Sequence, residues 1–480
     1  MASTKRQTHE KPDASQKRAS RRLWLKERVY DSSALQQLYA SWADVQSRVA
    51  LLRGQPYEAS RRMLHVWRHL GTEGLGEKRI ERMMRVVRDN CYRDGKLLPA
   101  SENHLRLNFS HSAKGRELRK LYGAFPAEHR VRLRFPRPDP DPERQGDLGV
   151  VKAYDPETGE RGVLMLMYSE AILAMCAVFD LGAMASQYMF VLEPSSWGYQ
   201  EVRFFLYLGA DLDVLVQSPR RADFDFIESL NINLVPTRVG AGEWVDPTIF
   251  HPREPGQEAT YDVVMVAAWD PLKRHELFFR AAASLKRARG RALRIALIGY
   301  KMGWTREPVE RLLRQYGLEH ECTIFEMISH EEVARIVADS SVSLLLSRQE
   351  GANRAIYESM FCGTPIIVYR HQCGVNLDHV NERTGLLADD EELPAAIARV
   401  LDHPEAFDPR GWALETVGYA NATRNINTAL REMAHSRGLP WTRDIVAKKS
   451  APNLRYAEPG IYKEFEEEYN RLQSFLLPLD

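Results

Sequence analysis

The stretch Ser347-Arg-Gln-Glu-Gly-Ala-Asn-Arg-Ala-Ile-Tyr-Glu-Ser-Met-Phe-Cys-Gly-Thr-Pro-Ile-Ile-Val368 decides the fold. An apolar run, Val342 to Leu346, leads into it. Glu350-Gly351 makes a short turn, and the pattern after it predicts a helix from about Asn353 to Cys362. Gly363 stands where a left-handed residue closes a helix, and Pro365 forbids continuation. The next apolar run begins at once. Strand, turn, helix and strand in this order make one unit of a parallel sheet.

Working outward, the same texture repeats on both sides. Short apolar runs at Val163–Tyr168, Tyr188–Leu192, Val214–Gln217 and Ile232–Pro236 form one series. Val263–Ala267, Arg294–Gly299, Thr323–Phe325, Val342–Leu346 and Pro365–Val368 form a second. Helical patterns separate the runs, which means parallel sheets covered on both faces. The break near His251-Pro252 suggests an α/β chain with two facing Rossmann-like domains. The expected layout is a disordered basic tail over residues 1–22 and a mostly helical basic extension over 23–135. A first Rossmann-like domain follows over 136–255, a second over 256–445, and a tail with a closing helix over 446–480. Residues 136–160, rich in Pro, Asp and Gly, read as two turns or a linker. Ile461–Leu477 reads as the closing helix.

Composition agrees with a folded chain. Of 480 residues 44% are hydrophobic and 27% charged, which excludes wholesale disorder and a membrane-embedded chain. The formal net charge of +1 hides an asymmetry. Residues 1–138 hold 30 basic and 14 acidic side chains, or +16, and the rest hold 36 and 51, or −15. Such a basic third points to an anionic partner: lipid head groups, an acidic substrate, nucleic acid, or the protein's own acidic part. Within it, Leu35, Leu38, Tyr39, Trp42, Val45, Val49 and Leu52 recur in helical steps, with Asp31 or Ser32 as cap and Gly54 and Pro56 as stop. Two further helical patterns, near 63–70 and 80–87, carry Arg61, Arg62, Arg68, Arg82, Arg85 and Arg88. Their basic face reads either as a solvated surface or as a docking surface for a membrane or acceptor. No nucleic-acid module is recognisable, and none is expected.

Five scattered cysteines without metal-ligand spacing or a disulfide framework suit reduced thiols in a cytoplasmic protein. The N-terminus lacks an apolar signal core. The most apolar stretch, Gly162 to Leu192, is broken by Glu170 and Asp180, so it reads as buried sheet and helix rather than a membrane span.

The chemistry concentrates at the turn in the opening stretch. A helix N-terminus offers unpaired N–H groups to an anion such as a diphosphate. Glu350 lies at the mouth and Glu358 further along the helix, so the two carboxylates address two ends of an elongated ligand, such as sugar and ribose hydroxyls.

Glu350-x7-Glu358 followed by Gly363-Thr-Pro365 resembles the signature of retaining glycosyltransferases of family 4, which have the GT-B fold. Other segments match the family in order: Val239-Gly-Ala-Gly-Glu-Trp-Val-Asp-Pro-Thr-Ile-Phe-His-Pro252, Val266-Ala-Ala-Trp-Asp-Pro-Leu-Lys273, Ile295–Gly299, Phe325 to Glu332, and Thr384-Gly-Leu-Leu387. The resemblance covers about residues 163–400 and implies transfer of a hexose from a nucleotide-diphosphate sugar to an acceptor hydroxyl with retention. It implies that Lys273 meets the donor diphosphate and Glu350 the transferred sugar. Gly351, Ala352 and Asn353 would cradle the donor, Glu358 the ribose, and Met327 and Ile328 the base. It implies no metal and no cofactor, because cationic side chains and a helix dipole replace them. Location at the inner membrane face, as a peripheral protein, is compatible with the basic third.

Two departures stand out. The family's Arg before the Lys is Ala268 here, and Arg274 or Arg354 is expected to supply that charge, Arg354 from one residue inside the helix. The family's N-domain His is absent, and Glu193 stands at that strand end, either as a sugar or acceptor contact and local base or as a turn residue before Pro194. Asp211-Leu-Asp213 and Asp223-Phe-Asp225 resemble a metal-binding pair of a different fold, but sit in a strand start and a helix pattern. Rival readings are an epimerase or phosphorylase on the same fold, and a non-catalytic nucleotide-sugar-binding protein.

Overall fold

The structure, a computed structural model, describes residues 32–55, 141, 143–194, 212–230, 233–450 and 454–478, with a few single residues and short pieces between them. The helical patterns near 63–70 and 80–87 lie almost wholly outside the described residues. One helix of the basic third is described: α1, Ser33–Leu52, where the Ser32 hydroxyl accepts from the Leu35 amide and Gly54 follows with φ +68°. It belongs to one compact unit, and both sheets belong to a second.

The first sheet holds β1 (Leu148–Lys152), β2 (Gly162–Met167), β3 (Tyr188–Glu193), β4 (Val214–Gln217) and β5 (Leu234–Thr237), in that spatial order. All pairs are parallel except β1 with β2. The strand β1 corrects the reading of 136–160 as turns or linker: all five of its residues are buried. It is short and framed by polar turns, so no long apolar run marks it in the sequence. Helices α2 (Ser169–Val178) and α3 (Arg221–Leu230) connect the parallel strands.

The second sheet holds β6 (Tyr261–Val266), β7 (Ile295–Gly299), β8 (Cys322–Glu326), β9 (Ser340–Leu345), β10 (Ile366–Tyr369) and β11 (Gly385–Ala388). Its order is β8-β7-β6-β9-β10-β11, all parallel. This is the doubly wound order, in which the chain reverses direction across the sheet between β6 and β9. Helices α4 (His275–Arg289), α5 (Arg306–Tyr316) and α8 (Leu393–Asp402) cover one face. Helices α6 (His330–Ala338), α7 (Ala355–Phe361) and α9 (Pro409–Thr416) cover the other. Burial on both faces explains why these strands are nearly continuous apolar runs rather than alternating ones.

The expected boundary at residue 445 moves. The helix α10, Tyr419–Ser436, does not pack on the second sheet: Ala422, Ile426, Leu430 and Met433 share a core with Val163, Met165, Met189 and Leu215 of the first. The chain therefore crosses between the sheets twice. On the outward crossing Trp244 enters the first core, and its neighbour Val245 and Phe250 enter the second. On the return, the Gly418 and Tyr419 amides donate to the carbonyls of Glu243 (3.1 Å) and Val245 (3.0 Å), so the crossings are tied together. Amphipathic spacing shows that α10 has an apolar face, but not which of two cores receives it.

The C-terminal segment is broken into short pieces, a 3-10 turn at Ile461–Phe465, α11 at Glu466–Leu472, and another 3-10 turn to Phe475, in place of one closing helix. It packs on the first sheet, where the Tyr469 hydroxyl accepts from the Val150 amide at 3.1 Å and the Phe475 carbonyl from the Asp180 amide at 2.8 Å. Among the described residues no helix is long and apolar enough to cross a membrane, and Cys176, Cys322, Cys362 and Cys373 are free thiols.

Candidate active site

Ligands of doubly wound sheets bind at the carboxyl ends of the strands where the order reverses. Here the two flanking strands are β6 and β9, which pair directly. The loop after β6 carries Lys273, and the loop after β9 carries Glu350. The fold brings them together: Lys273 Nζ lies 2.6 Å from Glu350 Oε1 and 2.8 Å from Oε2.

Local chemistry fixes both. The Asp270 carboxylate accepts from the Leu272 amide at 2.8 Å and caps the 3-10 turn Pro271–Lys273. Arg274 then takes φ +61°, a left-handed conformation that is costly for a residue with a Cβ. Its side chain compensates, donating to the Leu346 carbonyl at 3.1 Å, pairing with Asp390 and stacking over Tyr369 at 4.9 Å. Arg274 is thus committed to the scaffold that aims Lys273. Glu350 is buried, receives the Ser347 hydroxyl, and its amide donates to the Cys373 carbonyl at 2.8 Å. A Cβ at Gly374 would lie 1.9 Å from the Glu350 carbonyl oxygen, so only glycine permits this approach, and its φ of +117° agrees. Behind Lys273, buried His275 packs against Trp269 and Phe279. Burial chiefly, and the Lys273 charge next, hold its imidazole down at about 4.

The helix after Glu350 is shorter than expected. It spans Ala355–Phe361 rather than Asn353–Cys362, and Arg354 is its cap residue, not an interior one. The Asn353 side chain accepts from the Ile356 amide at 3.3 Å, so it satisfies part of the helix end itself. Gly351, Ala352 and Asn353 form the turn between Glu350 and the helix and are half-buried. Glu358 is buried within α7, and desolvation raises its carboxyl above the usual range, with Arg354 opposing from 3.9 Å.

Arg354 also reaches the first sheet's side of the molecule: its Nη1 donates to the Ser450 carbonyl at 2.6 Å. Ser450 in turn donates from its amide to the Trp244 carbonyl at 2.9 Å. On that side Glu193, at the carboxyl end of β3, is buried rather than turn-exposed. Its Oε2 accepts from Gln217 at 3.1 Å and lies 2.8 Å from Lys448 Nζ. Lys448 is fully buried beneath Trp244, 4.0 Å from the ring centroid, and burial lowers its pKa against the pull of Glu193. Gly242 touches the same region, since a Cβ there would lie 2.0 Å from the Asn353 carbonyl oxygen.

Met327 follows β8 with φ +56°, its amide donating to the Gly299 carbonyl at 3.1 Å, and its side chain is exposed. Ile328 is half-buried and packs against the core on the face of the second sheet that α6, α7 and α9 cover. Asp213 is taken by Arg161 at 2.5 Å and Arg437 at 2.6 Å. Among the described residues no group of three His, Cys, Asp or Glu side chains could hold a metal ion.

Ser347, Gly374, His275, Lys448 and Ser450 were not singled out by sequence reasoning. Gly374 and Ser347 had a local signal, since they flank the ends of adjacent strands. Lys448 and Ser450 had none, because the return crossing that delivers them is a tertiary event.

Residues 248–408, which hold the second sheet and helices α4 to α8, match the family model described as glycosyl transferases group 1. A curated relative, the MMP alpha-(1->4)-mannosyltransferase of Mycolicibacterium hassiacum, is 30% identical over 163 residues, which is 33% of this chain and 38% of the relative's length. Among solved structures, sucrose-phosphate synthase from Thermosynechococcus elongatus is 19% identical, covering 57% of this chain and 74% of that one at a TM-score of 0.44. Anabaena HepE, in complex with UDP, is 14% identical, covering 56% and 79% at a TM-score of 0.44. Likeness of that degree adds nothing to the strand orders described above.

Proposed function

We propose that this protein is a glycosyltransferase that moves a hexose from a nucleotide-diphosphate sugar to an acceptor hydroxyl, retaining the anomeric configuration and using no metal. The single observation that carries the reading is the contact of Lys273 with Glu350 across the point where the strand order reverses. A leaving nucleoside diphosphate needs a cation at that point, and Lys273 supplies it. The transferred sugar needs a buried acceptor of hydroxyl protons beside it, and Glu350 supplies that. In the proposed complex the diphosphate shares Lys273 with Glu350, Gly351 to Asn353 line the donor, and Glu358 takes the ribose. Met327 and Ile328 border the base. Glu193 and the Lys448 pair lie on the acceptor side.

The mannosyl donor of the curated relative supports a hexose without naming the one used here. The basic first third, +16 over residues 1–138, is assigned to the acceptor or to an anionic surface that presents it. That assignment places the protein in the cytoplasm, at times peripheral to the inner membrane face. A thermal-shift panel of nucleoside diphosphates and their sugars tests the donor reading. A ligand at about 100 times its Kd stabilises the fold by ~2.7 kcal/mol, and a panel with no shift would remove the reading. Unchanged turnover in EDTA is the expected result for metal independence.

A second reading, a non-catalytic nucleotide-sugar-binding protein, is favoured by one observation. Ala268, where the family often has Arg, is buried, and in the structure Arg274 is tied to Asp390 and Arg354 to the Ser450 carbonyl. Donor binding without any release of nucleoside diphosphate would select it.

A further inference from the structure

The helix α1 has two unlike faces. Ala40, Ala43, Ser47 and Ala50 are buried, and the Ser47 hydroxyl donates to the Ala59 carbonyl at 3.1 Å. The opposite side carries Leu35, Leu38, Trp42, Val45, Val49 and Leu52, all exposed, from 37% at Leu35 to 89% at Leu52. Their spacing is three, four, three, four, three. That is the 3.5-residue period of a coiled-coil seam, not the wider stripe of a helix lying on a core.

We propose that this seam pairs with the same seam of a second copy of the chain, making α1 an antiparallel homodimer contact. Three observations favour a second copy over a membrane surface. First, an interfacial membrane helix carries a polar face rich in Lys and Arg. The helix Ser33–Leu52 has only two charged residues, Asp44 and Arg48, and they pair with each other at 3.3 Å. Second, the six exposed side chains offer roughly 600 Å² per copy, and two copies together reach about 1,200 Å², the lower bound of stable interfaces. Third, the flanking charges choose a direction. A parallel pairing sets Arg48 against Arg53 of the second copy, because these occupy the flanking positions that meet in parallel coiled coils. An antiparallel pairing avoids that repulsion. It sets Leu35 against Leu52, Leu38 against Val49, and the large Trp42 against the small Val45 of the second copy.

Sedimentation velocity of the full chain, over roughly a hundredfold range of concentration in the micromolar regime, tests this. The wild type is expected to shift from monomer to dimer. Leu38→Asp with Val45→Asp is expected to remain monomeric throughout, and so is Leu52→Asp, which alters only the most exposed position and keeps the test alive if the double variant loses its helix by circular dichroism. Gln37→Glu, off the seam, is expected to dimerise as the wild type does. A wild type that stays monomeric, or a dimer that survives both seam variants, would overturn the proposal. So would a monomeric wild type that co-sediments with phosphatidylserine vesicles through this face, with the seam variants failing to do so.

Discussion

Lys273 and Glu350 come from the loops after two adjacent strands and hold each other through both carboxylate oxygens, at 2.6 and 2.8 Å. Each is aimed by its own support, Arg274 through Asp390 for the lysine and Ser347 with Gly374 for the glutamate. Lys273→Ala is therefore expected to lower kcat by about 10²–10³, the size of losing one preorganised charge contact in a transition state. Glu350→Gln should lower kcat as well while leaving nucleoside diphosphate affinity nearly intact, because the diphosphate does not depend on the carboxylate. Steady-state kinetics with calorimetric binding of the diphosphate separates the two.

The buried pair of Glu193 and Lys448 makes a sharper test, because structure and catalysis predict different cycles. Removing the Glu193 charge leaves Lys448 buried beneath Trp244 without its partner, at a cost of about 3–5 kcal/mol. Lys448→Met should cost a similar amount alone, and the double variant Glu193→Gln with Lys448→Met should recover most of it. If Glu193 also meets sugar or acceptor, kcat stays low in the double variant after stability returns. Recovery of kcat to within a few-fold would assign Glu193 to the scaffold alone.

Arg354 faces both sheets, through Ser450 on one side and Glu358 on the other. Arg354→Ala is expected to raise donor KM about tenfold, equivalent to ~1.4 kcal/mol. Arg354→Lys should not rescue it fully, since lysine lacks the planar fork needed to hold the Ser450 carbonyl and the proposed donor phosphate together. An unchanged donor KM would confine Arg354 to the contact with Ser450.

His275 predicts a pH dependence with a definite sign. Its pKa falls from the ordinary 6.5 to about 4 in the folded protein, chiefly through burial. A depressed pKa means that the stability it contributes is fully present above pH 6.5 and is lost as pH falls toward 4. The loss reaches about 3 kcal/mol at most. Denaturant unfolding at pH 7 and pH 4.5 should show a smaller acid loss for His275→Leu than for the wild type.

Much of this was legible in the sequence, and for physical reasons. The strands of the second sheet are buried on both faces, so they stand out as apolar runs, and Gly363-Thr-Pro365 marks where one helix stops. Position relative to those runs was enough to bring Lys273 and Glu350 to one place. The strand Leu148–Lys152 was missed because an antiparallel edge strand framed by Asp and Gly has no such run around it. The return of Tyr419–Ser436 to the first sheet was missed because periodicity reveals an apolar face and not its destination. Lys448 was missed for the same reason, since its meaning comes only from Glu193 and Trp244 above it. The helix at Ala355–Phe361 starts later than expected because the Asn353 side chain, accepting from the Ile356 amide, holds the turn before it.

Lys273 and Glu350 are proposed to turn over a nucleotide-diphosphate sugar. The most direct measurement is release of nucleoside diphosphate from UDP-, GDP- and ADP-hexoses by the wild type and by Lys273→Ala, without added acceptor. Slow release from one donor by the wild type, reduced about a hundredfold or more in the variant, is the predicted result. Release from none of the donors, or equal release by both proteins, would contradict the account.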